Sequence, residues 1–325
     1  MSRFESSKFR NPELNPEQRH IADQTLHKPQ SAMRHSQTGM PTGARGHGAM
    51  ICEVPPITRP SVTELAGPLR TPAAGRRLAD RVCLVVGATS GIGRATALRM
   101  AEEGAGAVVV AGRRDSLGRA LEDELRLRGA ESLFVTTDVT REPDVAELVE
   151  QTMVRFGRLD AVFNNAGYLE RRARLAEQPG DVYAHVFDTN VRALFIAMRH
   201  EIPALLTSGG GAIVNNTSVS GVRNPNPGLA LYGASKAAAI ALTRAAAMEY
   251  APQGVRINSV APGRVVTEMM VASGIADMRS VAAGLPLRRM GHPEEVAAAA
   301  IWLLSDEATY IVGHVLSADG GFLAA

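Results

Sequence analysis

From Arg81 onward the chain alternates short, nearly unbroken apolar runs with longer amphipathic stretches. Val82-Cys-Leu-Val-Val has no polar position and is too short for a helix, so it reads as a strand buried on both faces. Helical spacing follows over 94–103, then a second apolar run at 107–111, a helix over 116–128 and a third strand at 132–136. The pattern continues with a helix from about 143 to 156, a strand at 159–163, a long helix over 188–206 and a strand at 212–216. A helix near 230–250, a strand at 256–260, a helix at 293–304 and a last strand near 314–317 complete it. Continuous apolar strands separated by helices predict an α/β protein: a doubly wound parallel sheet in three layers, covered on both faces. Such sheets bind ligands beyond the carboxyl ends of their strands, so the residues directly after each strand carry the candidate chemistry.

Residues 1–78 follow neither period. They mix Pro, His, Arg, Ser, Gly and Gln, as in Asn11-Pro-Glu-Leu-Asn-Pro, and offer too little apolar surface to offset the entropy of ordering. We expect a disordered N-terminal extension over 1–78 and a single domain over 79–325. Residues 1–80 hold 11 basic and 7 acidic side chains, whereas 81–325 hold 24 and 26. The folded part therefore lacks the basic field of a nucleic-acid binder, and no nucleic acid partner is expected. No apolar run approaches the ~20 residues that span a bilayer, so no membrane partner is expected either. Cys52 and Cys83 are too few for a disulfide framework and have no metal-ligand company, so we expect no metal and a reducing, cytoplasmic setting.

Directly after the first strand stands Gly87-Ala-Thr-Ser90-Gly91-Ile92-Gly93, leading into a helix. Glycines permit a tight turn and close backbone approach to a pyrophosphate, and a helix N-terminus presents unpaired N–H groups to it. Further marks stand at successive strand ends and on neighbouring helices: Asp138-Val139, Asn164-Asn165-Ala166-Gly167, Asn190, Ser218, Tyr232-x-x-x-Lys236 and Pro262-Gly263. In this order and spacing the chain resembles the short-chain dehydrogenase/reductase family, in its short single-domain form, over essentially all of 80–325. The resemblance implies a Rossmann-like fold that binds NAD(P)(H) along the glycine turn. It implies that Asp138 contacts the adenine amino group and that Asn165 to Gly167 lie along the adenosine ribose. Val265 is expected to hold the nicotinamide carboxamide through its backbone, and Thr267 to sit beside the cofactor phosphates. For Asp138 and Asn165 a plain turn or capping role stands as the alternative.

The second strand ends Ala111-Gly112-Arg113-Arg114. An acid here would accept hydrogen bonds from an adenosine 2′-hydroxyl, whereas arginine matches a 2′-phosphate. With no acid at Gly112 and Arg113 following, NADP(H) is favoured and NAD(H) remains open. The alternative for Arg113 and Arg114 is a solvated charge at a helix entrance.

Tyr232 and Lys236 are four apart on a helical stretch, so they emerge on one face about a turn apart. An ammonium beside a phenol favours phenolate, which predicts a lowered Tyr232 pKa and a plausible proton donor to a carbonyl or acceptor from an alcohol. The chain holds three lysines among its 35 basic residues, and Lys236 is the one outside the expected extension. Use of an ammonium there, in a chain that otherwise relies on arginine, points to a requirement for that compact cation. By the resemblance, Ser218 orients the reacting oxygen, Lys236 also holds the nicotinamide ribose, and the Asn190 backbone carbonyl holds a water in a proton relay. A local kink or a satisfied buried amide is the alternative for Asn190. Ser218 precedes Tyr232 by 14 residues, one more than is commonest in the family, which suggests an enlarged loop. Substrate contacts are expected from Tyr168, from 219–226 and from 263–286 with Met269, Met270 and Val271. The implied activity is hydride transfer between NAD(P)(H) and a small carbonyl or secondary alcohol substrate. A catalytically silent nucleotide-binding protein of the same fold is the alternative, and a homo-oligomer, tetramer or dimer, is the expected assembly.

Overall fold

The computed structural model describes residues 64–65, 75–223, 226–275 and 277–325. Of the expected extension, 1–63 and 66–74 lie outside the described residues, as does Cys52. Leu65 and Leu78, both assigned to that extension, are buried against the domain, at 3% and 0% exposure.

Seven parallel strands form one sheet in the order β3-β2-β1-β4-β5-β6-β7. They are β1 (Val82–Val86), β2 (Ala107–Gly112), β3 (Glu131–Thr136), β4 (Ala161–Asn164), β5 (Gly211–Asn216), β6 (Val255–Pro262) and β7 (Val315–Ala318). The apolar runs are continuous because the period-two side chains enter two different cores. Cys83 and Val85 join Val108, Val110 and Phe163 on one face, while Leu84 and Val86 join Val109, Val162 and Ile213 on the other.

The first face is covered by α1 (Gly91–Glu102), α2 (Asp115–Leu127) and a later helix, Pro293–Leu304, through residues such as Met100, Leu125 and Ile301. The second is covered by α3 (Glu142–Phe156), by Ala193–Thr207 and by Ala230–Tyr250, through Leu148, Ile202 and Ala247. The helix expected over 188–206 is longer and divided. α4 (Gly180–Phe187) runs into a π-helical turn, Asp188–Arg192, and then α5 (Ala193–Thr207). Three short helices were not expected: α6 (Val219–Val222), ahead of α7 (Ala230–Tyr250), and α8 (Glu268–Val271) and α9 (Met278–Gly284), ahead of α10 (Pro293–Leu304). A satellite cluster gathers Leu65, Val266, Met278, Ala282, Leu285 and Met290 beneath that last region.

The chain leaves β1 toward β2 and β3, then returns across β1 to β4, so the strand order reverses between β1 and β4. That reversal opens a crevice at the carboxyl ends of these strands, where the glycine turn and the Asn164–Gly167 segment emerge. Among the described residues no helix is long and apolar enough to cross a membrane.

Candidate active site

The glycine turn is pinned to its strand neighbours. Gly87 and Ala88 donate to Ala111 O, each at 2.9 Å, and the Asn165 side chain donates to Gly87 O at 2.8 Å. Gly93 packs so closely beneath the turn that a Cβ there would lie 2.2 Å from Gly87 O and 2.6 Å from Asn165 Nδ2. α1 starts at Gly91, and its cap residue Ser90 makes no side-chain cap hydrogen bond, so the first-turn N–H groups are left for a ligand.

A cavity of about 460 Å³ lies over this turn. Seventeen of the residues expected to bind or react border it: Gly87, Ser90, Gly91, Ile92, Arg113, Asp138, Val139, Asn165, Ala166, Gly167, Ser218, Tyr232, Lys236, Pro262, Gly263, Val265 and Thr267. Gly93 and Asn190 do not line it. Gly93 supports the turn from behind, and Asn190 is buried, its amide fully engaged. Asn190 Oδ1 accepts from Tyr168 N at 2.7 Å, while Nδ2 donates to Tyr168 O and Ser235 Oγ, both at 2.9 Å. The satisfied buried amide expected as the alternative for Asn190 is present, set in the π-helical turn. Its side chain still borders the site: Asn190 Oδ1 and Lys236 Nζ each lie 3.4 Å from where a Cβ of Gly167 would stand.

Asp138 accepts from Thr140 N at 3.0 Å and Thr140 Oγ1 at 2.7 Å. Burial pushes its carboxyl up, but the Thr140 hydrogen bonds and the Arg113 charge outweigh it, and the pKa falls below the usual range. Asp138 is thus a turn cap as well as a wall of the cavity. Asn165 is similarly engaged, accepting from Asn216 Nδ2 at 2.7 Å. Thr267 caps α8, its hydroxyl accepting from Met270 N at 3.2 Å. The two arginines after β2 differ. Arg114 is tied to Thr89 at 3.1 Å and to Glu268 at 2.8 Å, whereas Arg113 is exposed and carries no hydrogen bond or ion pair with the described residues.

Tyr232 and Lys236 stand a turn apart on α7, and Ser218 faces them from the end of β5. Ser218 Oγ accepts from Ser220 N at 3.1 Å, capping α6. α6 rests directly on α7: a Cβ on Gly221 would lie 2.6 Å from the Lys236 carbonyl carbon, so the Ser-x-x-Gly spacing is a packing requirement. Lys236 is buried and donates to Asn216 O at 2.8 Å, and burial lowers its pKa to about 8. Its Nζ lies 5.8 Å from the Tyr232 ring centroid.

The expected lowering of the phenol pKa by Lys236 is not found. Removal from bulk water pushes Tyr232 above its usual value, opposed by the Ser218 hydroxyl and by Arg264, which lies in the 263–286 segment expected to meet substrate. Glu170, buried beside Tyr232 and accepting its backbone N–H at 3.0 Å, pushes the phenol further up. Burial therefore governs this phenol. Nothing in the sequence flags Glu170; Arg264 stands between two residues that were named, Gly263 and Val265.

The family profile described as Enoyl-(Acyl carrier protein) reductase matches residues 87–323. The A-factor type gamma-butyrolactone 1'-reductase (1S-forming) of Streptomyces virginiae is 43% identical over 249 residues, 75% of this chain and 96% of that protein. The chain belongs to the short-chain dehydrogenase/reductase family. Another relative, the cis-4-hydroxycyclohexanecarboxylate dehydrogenase of Sinomonas cyclohexanicum, is 41% identical over 77% of this chain and 99% of that protein. The crystal structure of levodione reductase superposes with a TM-score of 0.74 at 34% identity, covering 77% of this chain and all of the other.

Members of the short-chain dehydrogenase/reductase family are oxidoreductases that use NAD(P)(H), and this chain has the room and the donors for such a dinucleotide. Asn216 Oδ1, on the cavity wall, is buried without a hydrogen-bond partner. Lys236 uses one of its three N–H donors on the described residues. With the bare first turn of α1, these are polar groups that a bound dinucleotide would satisfy.

Proposed function

We propose that the protein interconverts a ketone and a secondary alcohol with Tyr232 exchanging the proton. The observation that carries this is the meeting of Ser218, Tyr232 and Lys236 with the glycine turn on one cavity. When bound, the nicotinamide dinucleotide supplies or accepts the hydride. The first turn of α1 and the glycine segment would hold its pyrophosphate with Thr267 beside the phosphates, Asp138 and Asn165 to Gly167 would border its adenosine, and Val265 its nicotinamide end. Lys236 would donate to its ribose with an N–H left free beside the bond to Asn216 O. Ser218 orients the substrate oxygen, and Tyr232 passes its hydroxyl proton to that oxygen as the ketone becomes an alcohol. Asn190 holds the Tyr168 segment against the site and supports resupply of the proton through Lys236.

Because burial raises the phenol, Tyr232 stays protonated through the neutral range. Reduction is therefore expected to run steadily at neutral pH, and alcohol oxidation to accelerate as pH rises and Tyr232 gives up its proton; paired pH–rate profiles check this.

For the nucleotide, the unengaged Arg113 and the absence of an acid at Gly112 support NADP(H). Arg113→Ala is expected to weaken NADPH about tenfold or more and NADH hardly at all, read by fluorescence titration with both nucleotides. Equal loss for both would leave Arg113 a surface charge. The butyrolactone and cyclohexane rings in the relatives' names support a ring-bearing substrate.

Phe195 on α5 and Met248 on α7 project outward at 51% and 74% exposure, which supports a homodimer or tetramer formed through these helices. Cys83, a buried free thiol whose pKa burial pushes up to about 12, is inert and compatible with a reducing cytoplasm.

A further inference from the structure

The substrate end of the cavity is lined by two arginines that have no ion pair among the described residues. Arg264, next after the Pro262-Gly263 turn, is half-buried beside Tyr232. Its guanidinium donates to Asn226 Oδ1 and lies 6.0 Å from the Phe322 ring centroid. Arg172, in the segment after β4, reaches the same loop by donating to Pro227 O at 2.9 Å. Both arginines line the cavity, and Arg172 is near enough to repel the charge on Arg264.

Comparison with Arg256 shows what is missing. Arg256, also half-buried, is surrounded by backbone carbonyls: it donates to Leu303 O at 2.8 Å, Ala308 O at 3.0 Å, Leu304 O at 3.3 Å and Ser305 O at 2.9 Å. Arg264 and Arg172 each use one of five guanidinium donors, and neither has an ion pair among the described residues. The acids on the cavity wall are occupied elsewhere. Asp138 is bound to Thr140, and Glu268 is paired with Arg114. Glu170 accepts the Tyr232 N–H and is not part of the wall. Two guanidinium groups, one half-buried and one exposed, each with donors unused by the described residues and both lining one cavity bordered by Met269 and Met270, make a receptor for a planar anion.

We propose that Arg264 and Arg172 form an anion subsite, and that the substrate is a ketone or secondary alcohol bearing a carboxylate held there while its carbonyl or hydroxyl meets Tyr232 and Ser218. This rests on the proposed reaction for the position of the reacting carbon, but the subsite is tested without turnover. Benzoate, cyclohexanecarboxylate and octanoate are each titrated calorimetrically against their primary amides into the NADP⁺-loaded enzyme. At least one carboxylate is expected to bind about tenfold to a hundredfold more tightly than its amide, and the difference is expected to shrink at least fivefold in both Arg264→Gln and Arg172→Gln. Arg172 is exposed, so its variant tests the subsite even where Arg264→Gln disturbs the Asn226 loop.

No carboxylate-over-amide preference in the native enzyme, or a preference that survives both substitutions, overturns the proposal. Cyclohexyl phosphate binding more tightly than every carboxylate overturns the assignment to a carboxylate. A parallel assay follows oxidation of reduced nucleotide with 4-oxocyclohexanecarboxylate and its methyl ester. Tight carboxylate binding with no turnover of any ketone would sink the reaction and leave the subsite standing. Equal kcat/KM for acid and ester would sink the subsite and leave the reaction standing.

Discussion

The two sides of the cavity are built differently. On the side of β1 and β4 the side chains hold one another in place, since Asn165 bridges Gly87 and Asn216, Asp138 holds Thr140 and Gly93 leaves no space beneath the turn, while the first-turn N–H groups of α1 and Asn216 Oδ1 are left for a ligand. On the side of β6 and α8, the walls are short helices over a small satellite core, and Arg264, with Arg172 reaching the same loop from the segment after β4, is largely unanswered. The difference matches the division of labour: a nucleotide that does not vary is met by backbone donors on a closely packed turn, and the group that distinguishes one substrate from another is met by side-chain charges awaiting a partner.

Substitutions can break this contrast. The largest effect is expected from Gly93→Val. A Cβ 2.2 Å from a backbone oxygen cannot be relieved by a side-chain movement, so nucleotide affinity should fall by at least ~100-fold in fluorescence titrations. Near-native affinity would show that the turn is more pliable than its packing implies.

Glu201→Gln is next and touches the frame rather than the site. Glu201 is wholly buried on α5, and burial raises its pKa to about 7 despite the 2.9 Å hydrogen bond from Asn164 Nδ2. Glu201 Oε1 and Asn164 Oδ1 are both buried without a partner among the described residues, and a protonated carboxyl leaves no buried charge there. A carboxyl whose folded pKa lies above its unfolded value binds its proton more tightly in the native state. Stability therefore declines as pH rises from 4.5 to about 7 and is level beyond. Glutamine leaves no buried charge there at any pH, so Glu201→Gln should match the native protein near pH 4.5 and exceed it by about 3 kcal/mol at pH 8 in urea melts. An unchanged pH dependence would contradict this.

Leu65→Ala is the smallest and acts on the other side. Leu65 is 3% exposed in the satellite core, and its carbonyl accepts from Met290 N at 2.8 Å. Loss of about 2 kcal/mol there should loosen α8 and α9, raising substrate KM severalfold while nucleotide affinity holds. Parallel loss of both would mean that the two sides are one mechanical unit.

The same contrast governs what the sequence discloses. Strands buried on both faces leave continuous apolar runs, and long helices leave a sustained period, so 82–86, 230–250 and 293–304 coincide with β1, α7 and α10. The nucleotide side is legible because its glycines stand at the first strand-to-helix turn and further marks follow in order at successive strand ends. The substrate side is not: α6, α8 and α9 span four to seven residues and are fixed by packing and by the caps Ser218, Thr267 and Asp277 rather than by period. The π-helical turn at Asn190 is equally silent, because its hydrogen bonds go to Tyr168 and Ser235, distant in sequence. Arg264 falls in the 263–286 segment expected to contact substrate, but its own importance lies in the partners it lacks among the described residues, which only the folded arrangement reveals. Likewise the phenol pKa cannot be judged from the Tyr-to-Lys spacing, since burial, Glu170 and Arg264 all act on it.

The central claim is that Tyr232 exchanges the proton beside a bound nucleotide. It is tested most directly by following reduced-nicotinamide absorbance with Tyr232→Phe on a ketone that the native enzyme turns over, with nucleotide affinity measured on the same sample. Turnover should fall by about 10²–10⁴-fold while nucleotide affinity stays within twofold. Turnover by the phenylalanine variant at the native rate would contradict it.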